Sequence, residues 1–234
     1  MENKLNLETY LFLGFKKIEI SVHDKENFKK IYSEKINYDN RKNNIDLSLF
    51  DLFLEKNIFV IEKKFQNFIE NINLIIESYE FFEIELSIRK KNYGETITKE
   101  NLKHLLNEAK TECKKTLENK KIVHLTVENY LVNGKKFSYF PNNMKCDFFS
   151  IDLKFNCLPK YYIYQLETIL RKYQISIDHI LNSTYIDIFR EINQSDRFET
   201  SMKMIKGLNK NEVLIIPEKS KNKGFFERFF DFFN

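Results

Sequence analysis

The chain has 234 residues, enough for one large domain or two small ones around a real core. Hydrophobic residues at 42% and charged residues at 31% make a soluble globular composition, which excludes a disordered or bilayer-spanning chain. The formal net charge of +4 is spread along the whole chain, too small a surplus to argue for nucleic acid as a partner.

Residues 10–22 begin as an apolar run and end in strict alternation, which predicts two strands turning near Gly14-Phe15-Lys16. A third strand is expected over 28–38, followed by the polar loop 39–44. After Ile58-Phe59-Val60, the three- and four-residue spacing of Phe65, Phe68, Ile69, Ile72, Ile75 and Ile76 predicts a helix. Phe82, Ile84, Leu86 and Ile88 then alternate with Glu83, Glu85, Ser87 and Arg89, a half-buried strand. Glu83 and Glu85 share its polar face and read as solvated charges.

A helix is expected over 99–118, with Thr98 as N-cap and Glu100 in its first turn. Its apolar stripe runs through Leu102, Leu105, Leu106, Ala109, Cys113 and Leu117. Two strands follow, 122–131 and 148–155, with a tight turn at Asn133-Gly134. A helix over 161–173, a short strand at 175–178 and a helix through 185–189 return the chain. This order places a strand-helix-strand-strand module inside a larger domain.

Five glycines serve the whole chain: Gly14, Gly94, Gly134, Gly207 and Gly224. No two are close enough for a phosphate-cradling loop, which needs backbone amides unobstructed by Cβ atoms. No nucleotide chemistry, cofactor or enzymatic activity is therefore expected. Cys113, Cys146 and Cys157 contain no CxxC pair, which suits a reducing cytoplasm. His23, His104, His124 and His179 fall into no metal-ligand spacing. The N-terminus lacks a signal-peptide apolar region, and no apolar run reaches the ~18 residues of a membrane span.

Six of the last ten residues are Phe: Phe225, Phe226, Phe229, Phe230, Phe232 and Phe233. On a helical wheel they fall within an arc of roughly 160°, and Glu227, Arg228, Asp231 and Asn234 fill the opposite side. Lys219, Lys221 and Lys223 precede them. An aromatic face behind a cationic approach suits a bilayer interface, so these residues together with Arg228 are the candidate membrane-binding site.

Several stretches resemble FtsA, the actin-like family that anchors the bacterial division ring to the membrane. They are Lys56–Lys63, Glu95–Leu102 (Glu-Thr-Ile-Thr-Lys-Glu-Asn-Leu), Ile122–Gly134 (Ile-Val-His-Leu-Thr-Val-Glu-Asn-Tyr-Leu-Val-Asn-Gly) and Leu166–Leu181. The likeness extends from about Leu11 to Arg190, and more weakly over Phe198–Leu208. The family's Asp-bearing phosphate loops are absent: Leu13-Gly14-Phe15-Lys16-Lys17 replaces the first, and Glu191–Arg197 leads away from the second. The resemblance implies an α+β fold, half of an actin-like (RNase H-like) domain over 1–81 and 161–210. A strand-helix-strand-strand subdomain is inserted over 82–160, a linker spans 211–223 and an amphipathic helix 224–234. It further implies a non-catalytic division adaptor on the cytoplasmic face of the cell membrane at the division site. The implied partners are FtsZ or later division proteins and further copies of itself. A pilus-assembly adaptor similar to PilM, or a small-ligand-binding module, are the alternatives.

Overall fold

The first apolar runs become, in the computed structural model, which describes residues 6–39 and 45–213, three antiparallel strands: β1 (Leu7–Leu13), β2 (Lys17–Asp24) and β3 (Lys30–Asn37). Helix α1 (Leu47–Phe65) and strand β4 (Asn71–Ile76) follow. The chain continues through β5 (Phe82–Lys91), α2 (Lys99–Leu117), β6 (Lys120–Val132), β7 (Lys135–Phe137) and β8 (Phe148–Pro159). It returns as α3 (Lys160–Arg171), β9 (Ser176–Asn182), α4 (Ser183–Asn193) and α5 (Arg197–Ile205). The fold is mixed α+β, with two sheets and five helices among the described residues.

Among the described residues, the first unit takes 6–39, 45–80 and 161–208. Its sheet runs β3-β2-β1-β4-β9, with β1, β4 and β9 parallel. Tyr10, Phe12, Ile75 and Leu181 line one face and pack against Ile186 of α4 and Phe198 and Met202 of α5. The alternate residues Leu11, Leu13, Leu74 and Ile76 are buried as well. Helices α1 and α3 add Phe50, Leu54, Ile58, Leu166 and Leu170 to the buried set.

The helix expected after Ile58 is corrected. Helix α1 starts earlier, where the Asp46 carboxylate accepts from the amides of Ser48 and Leu49 at 3.0 Å each. It stops at Gln66, which adopts a left-handed conformation (φ 50°) and donates its N–H to Glu62 O. Phe68 then lies exposed, while Ile72, Ile75 and Ile76 belong to β4. The run Asn71–Ile76 fits a 3.6 period and a strand equally. Parallel ladders to β1 on one side and β9 on the other decide for the strand.

Among the described residues, the second unit takes 81–160 and 209–213. Its sheet, β5-β8-β6-β7, is antiparallel throughout. Leu102, Leu105, Leu106, Ala109, Cys113 and Leu117 of α2 form the core with Leu125, Val127, Ile151 and Leu153, as the helical stripe predicts. Asn101 Oδ1 accepts from the Thr98 amide at 2.7 Å, so the side chain three residues on closes the helix start. Strand β6 carries two register shifts, between Ile122 and His124 and between Val127 and Asn129. These bulges bring Ile122, Leu125, Val127, Tyr130 and Val132, which are not spaced by two, into one core.

The linker expected from 211 is corrected over its first three residues. Val127 N donates to Asn211 O at 2.9 Å and Val213 N to Leu125 O at 2.8 Å, and Val213 is buried in this core. Glu212 contacts His124 Nδ1 at 2.7 Å, with both side chains buried. An apolar residue with satisfied main-chain groups holds this segment in the unit.

Candidate functional site

Open α/β sheets bind ligands outside the carboxyl ends of their parallel strands. In the first unit those ends are Leu13 of β1, Ile76 of β4 and Asn182 of β9. The β1–β2 turn, Gly14-Phe15-Lys16, sits there, closed by Gly14 N donating to Lys17 O at 2.9 Å. Glu77 follows β4 directly, and its amide donates to Leu13 O at 2.8 Å. Its carboxylate Oε2 accepts from the Phe15 amide at 3.1 Å.

The space around the turn is filled. A Cβ at Gly14 would lie 2.6 Å from Glu77 Oε2 and 2.6 Å from the Phe12 ring. The Phe15 ring stacks on Tyr79 at 4.6 Å, and the Tyr38 hydroxyl donates to the Gly14 carbonyl. The buried Tyr162 phenol interacts with Ser78, and burial pushes it up to about 12. Behind the turn, Arg197 lies over the Phe12 ring at 4.1 Å, and its guanidinium is forked onto Asp187 at 3.1–3.2 Å. Chemically, a phosphate cradle offers unclaimed amides and positive potential. Here the amide is claimed, and a carboxylate stands where an anion would be received. Sequence reading finds the missing Asp and glycines of this turn. It misses Glu77, because the pair lies 62 residues apart.

The second unit presents its edge. Strand β5 pairs with β8 over ten residues without a register shift and is the outer strand of its sheet. Phe82, Ile84 and Leu86 pack partly against the core, and the alternate residues face away from it. Lys154 lies 3.2 Å from Glu83 and 3.7 Å from Glu85, and both carboxylates are more than half exposed. The pair is a solvated, lysine-neutralised surface, not an acid–base couple. Ser87 and Asn129 donate to Asp152 at 2.8 and 2.9 Å, and Arg89 stacks over Phe148 at 4.0 Å. An outer strand of this kind can accept a further strand by main-chain pairing.

The three cysteines are reduced and buried; burial pushes the thiols up, that of Cys157 to about 12, so none is a ready nucleophile. Among the described residues no group of His, Cys, Asp and Glu could hold a metal ion. No helix among them is long and apolar enough to cross a membrane. The membrane-binding candidates Lys219, Lys221, Lys223, Phe225, Phe226, Arg228, Phe229, Phe230, Phe232 and Phe233 lie outside the described residues.

No family model matches the chain, and no curated protein matches it. Solved structures do. One is from the PilM–PilN type IV pilus biogenesis complex, at 6% identity and a TM-score of 0.47, covering 78% of this chain and 49% of that one. A second is the cytoplasmic domain of EpsL, an inner-membrane component of the type II secretion system of Vibrio cholerae. It has 10% identity and a TM-score of 0.40, covering 77% and 59%. A third is a protein of unknown function with an actin-like ATPase fold from Bacteroides thetaiotaomicron, at 12% identity and 0.38, covering 80% and 56%. The chain spans about half the length of the solved chains it matches.

Proposed function

We propose that this protein is a non-catalytic, membrane-associated adaptor of the bacterial division machinery that bridges or recruits other division proteins. The observation that carries its non-catalytic character is the Glu77 carboxylate on the Phe15 amide, at the end of the sheet where an actin-like half would receive phosphate. The sheet β3-β2-β1-β4-β9 belongs to a unit that the chain leaves after β4 and re-enters at α3, which supports the reading of a half domain carrying an inserted module. The module inserted after β4 supplies an open edge strand for a partner or a second copy. The Phe-rich terminus supplies the membrane contact, and the sequence resemblance to FtsA supplies the division setting.

One set of measurements on the full chain tests the reading. Titration with Mg-ATP is expected to be silent, and a micromolar heat signal overturns the non-catalytic part. Phe226→Glu or Phe229→Glu is expected to release the protein from anionic vesicles, while Asp231→Lys leaves it bound. Phe→Glu variants that pellet with lipid as well as the parent overturn the membrane part. A fluorescent fusion is expected at the division site; accumulation with pilus assemblies instead would overturn the division setting and favour the PilM-like alternative.

A further inference from the structure

Four strands end a sheet among the described residues: β3 and β9 in the first unit, β5 and β7 in the second. Sheet edges are commonly kept from pairing with other chains by shortness or by an irregular ladder. Strand β7 has three residues, and the ladders of β3 and β9 each carry a register shift. Strand β5 has neither defence: ten residues, no proline, and an unbroken ladder to β8 from Phe82 to Lys91. Among the described residues no main-chain hydrogen bond reaches its outer side. An edge strand turns the N–H and C=O of every second residue outward, so β5 offers a regular row of unpaired groups.

The order of charges along β5 states which strand fits that row. Glu83 and Glu85 stand in its first half, Arg89 and Lys91 in its second, all exposed and all on the face turned away from the core. Lys154 reaches both glutamates but carries one charge against two, which leaves the acidic half negative. Arg89 lies over the Phe148 ring, and neither it nor Lys91 is in an ion pair among the described residues. A parallel, in-register copy of this strand would set like charge on like. An antiparallel copy centred on Ser87 sets Glu83 opposite Lys91 and Glu85 opposite Arg89, and symmetry makes each pair twice. On the core side the same register sets Leu86 opposite Ile88 and the Lys90 stem beside Ile84. Ile84 and Leu86 are covered only partly by the protein's own core. The two-fold axis of such a pair stands perpendicular to the sheet, so both copies keep α2 on the same side and the apolar face continues across the axis.

We propose that β5 pairs antiparallel with β5 of a second copy of this chain, joining the two four-stranded sheets about a two-fold axis at Ser87. The proposal rests on the adaptor reading only for the use of this edge; the choice of a second copy stands on the strand's own charge order.

Sedimentation of the full chain at about 100 µM, a concentration suited to the small interface of one strand pair, tests it. The parent is expected as a dimer. Glu83→Lys and Lys91→Glu, each alone, set like charges together at both ends of the interface and are expected to weaken the dimer by about tenfold. The two changes in one chain restore opposite charges in this register and no other, and that variant is expected to dimerise as the parent does. Should these variants fail to fold by circular dichroism, Glu85→Arg with Arg89→Glu repeats the exchange at the inner pair. A monomeric parent overturns the second copy in favour of a strand of another protein. A double variant as weak as the single ones overturns the register. Loss of the dimer in Phe226→Glu, with the β5 variants unaffected, overturns the proposal by assigning self-association to the terminus. All readings are taken without lipid or nucleotide, so failure here is separable from failure of the adaptor reading.

Discussion

The two sheets of this protein solve the burial problem in opposite ways. In the first unit the central strands are parallel and buried on both faces, so β1 and β4 read as unbroken apolar runs, Tyr10-Leu11-Phe12-Leu13 and Leu74-Ile75-Ile76. In the second unit an antiparallel sheet lays α2 on one face, so β5 over Phe82–Ile88 and β8 over Phe148–Phe155 alternate residue by residue. The difference explains where polar chemistry collects. The doubly covered sheet traps a polar row inside, from Ser21 to His179, and must satisfy it there. The singly covered sheet turns Glu83, Glu85, Asp152 and Lys154 outward, where short surface pairs settle their charges.

That contrast can be broken most severely through the core of the second unit. Leu105 and Leu106 are central to α2, which covers its sheet, and both are buried. Leu105→Ala or Leu106→Ala is expected to cost about 2–5 kcal/mol. A denaturant titration with an unmoved midpoint would show that α2 does not close this core.

Acid should distinguish the units next. Burial lowers the pKa of His23 in the first unit, partly offset by the Phe28 carbonyl and Asp196, and burial likewise lowers that of His179. A histidine whose folded pKa lies below its unfolded value favours the folded state fully only above the unfolded pKa, about 6.5. Stability is therefore expected to fall as pH drops below that value towards the folded pKa values, because the unfolded chain binds protons first. His23→Gln is expected to flatten this slope in melting curves taken between neutral and mildly acidic pH. A slope identical to the parent's would remove His23 from the account.

The smallest effect concerns helix ends. With five glycines in all, the chain ends α1 and α4 with Gln66 and Gln194, both at φ 50°, where glycine is the usual residue. Gln66→Gly is expected to stabilise the protein by about 0.5–1 kcal/mol, since it relieves a left-handed conformation that a Cβ disfavours. A lowered melting temperature would mean that the Gln66 side chain contributes more than its backbone costs.

Sequence reading served the second unit better than the first, and the sheets explain why. Alternation along Phe82–Ile88 and the stripe Leu102–Leu117 each state which face is buried, so the helix boundaries fall within one residue of α2. The stretch 58–76 states nothing of the kind. Its isoleucines suit helix and buried strand alike, and the start signal Asp46 follows a polar run that reads as loop. The bulges of β6 were likewise hidden, because an extra residue in one strand shows only against its partner.

By itself the sequence determined what local chemistry dictates. Alternation along β5 and the apolar stripe of α2 follow from local periodicity, and the turn Gly14-Phe15-Lys16 carries a single glycine. Tertiary structure alone decided the rest: Glu77 on the Phe15 amide, 62 residues away, Glu212 against His124, 88 residues away, and the opposition of Tyr10, Asn73 and His179. The physical reason is that strand register is set between segments distant in the chain, through pairing and burial together, and no local periodicity carries that information.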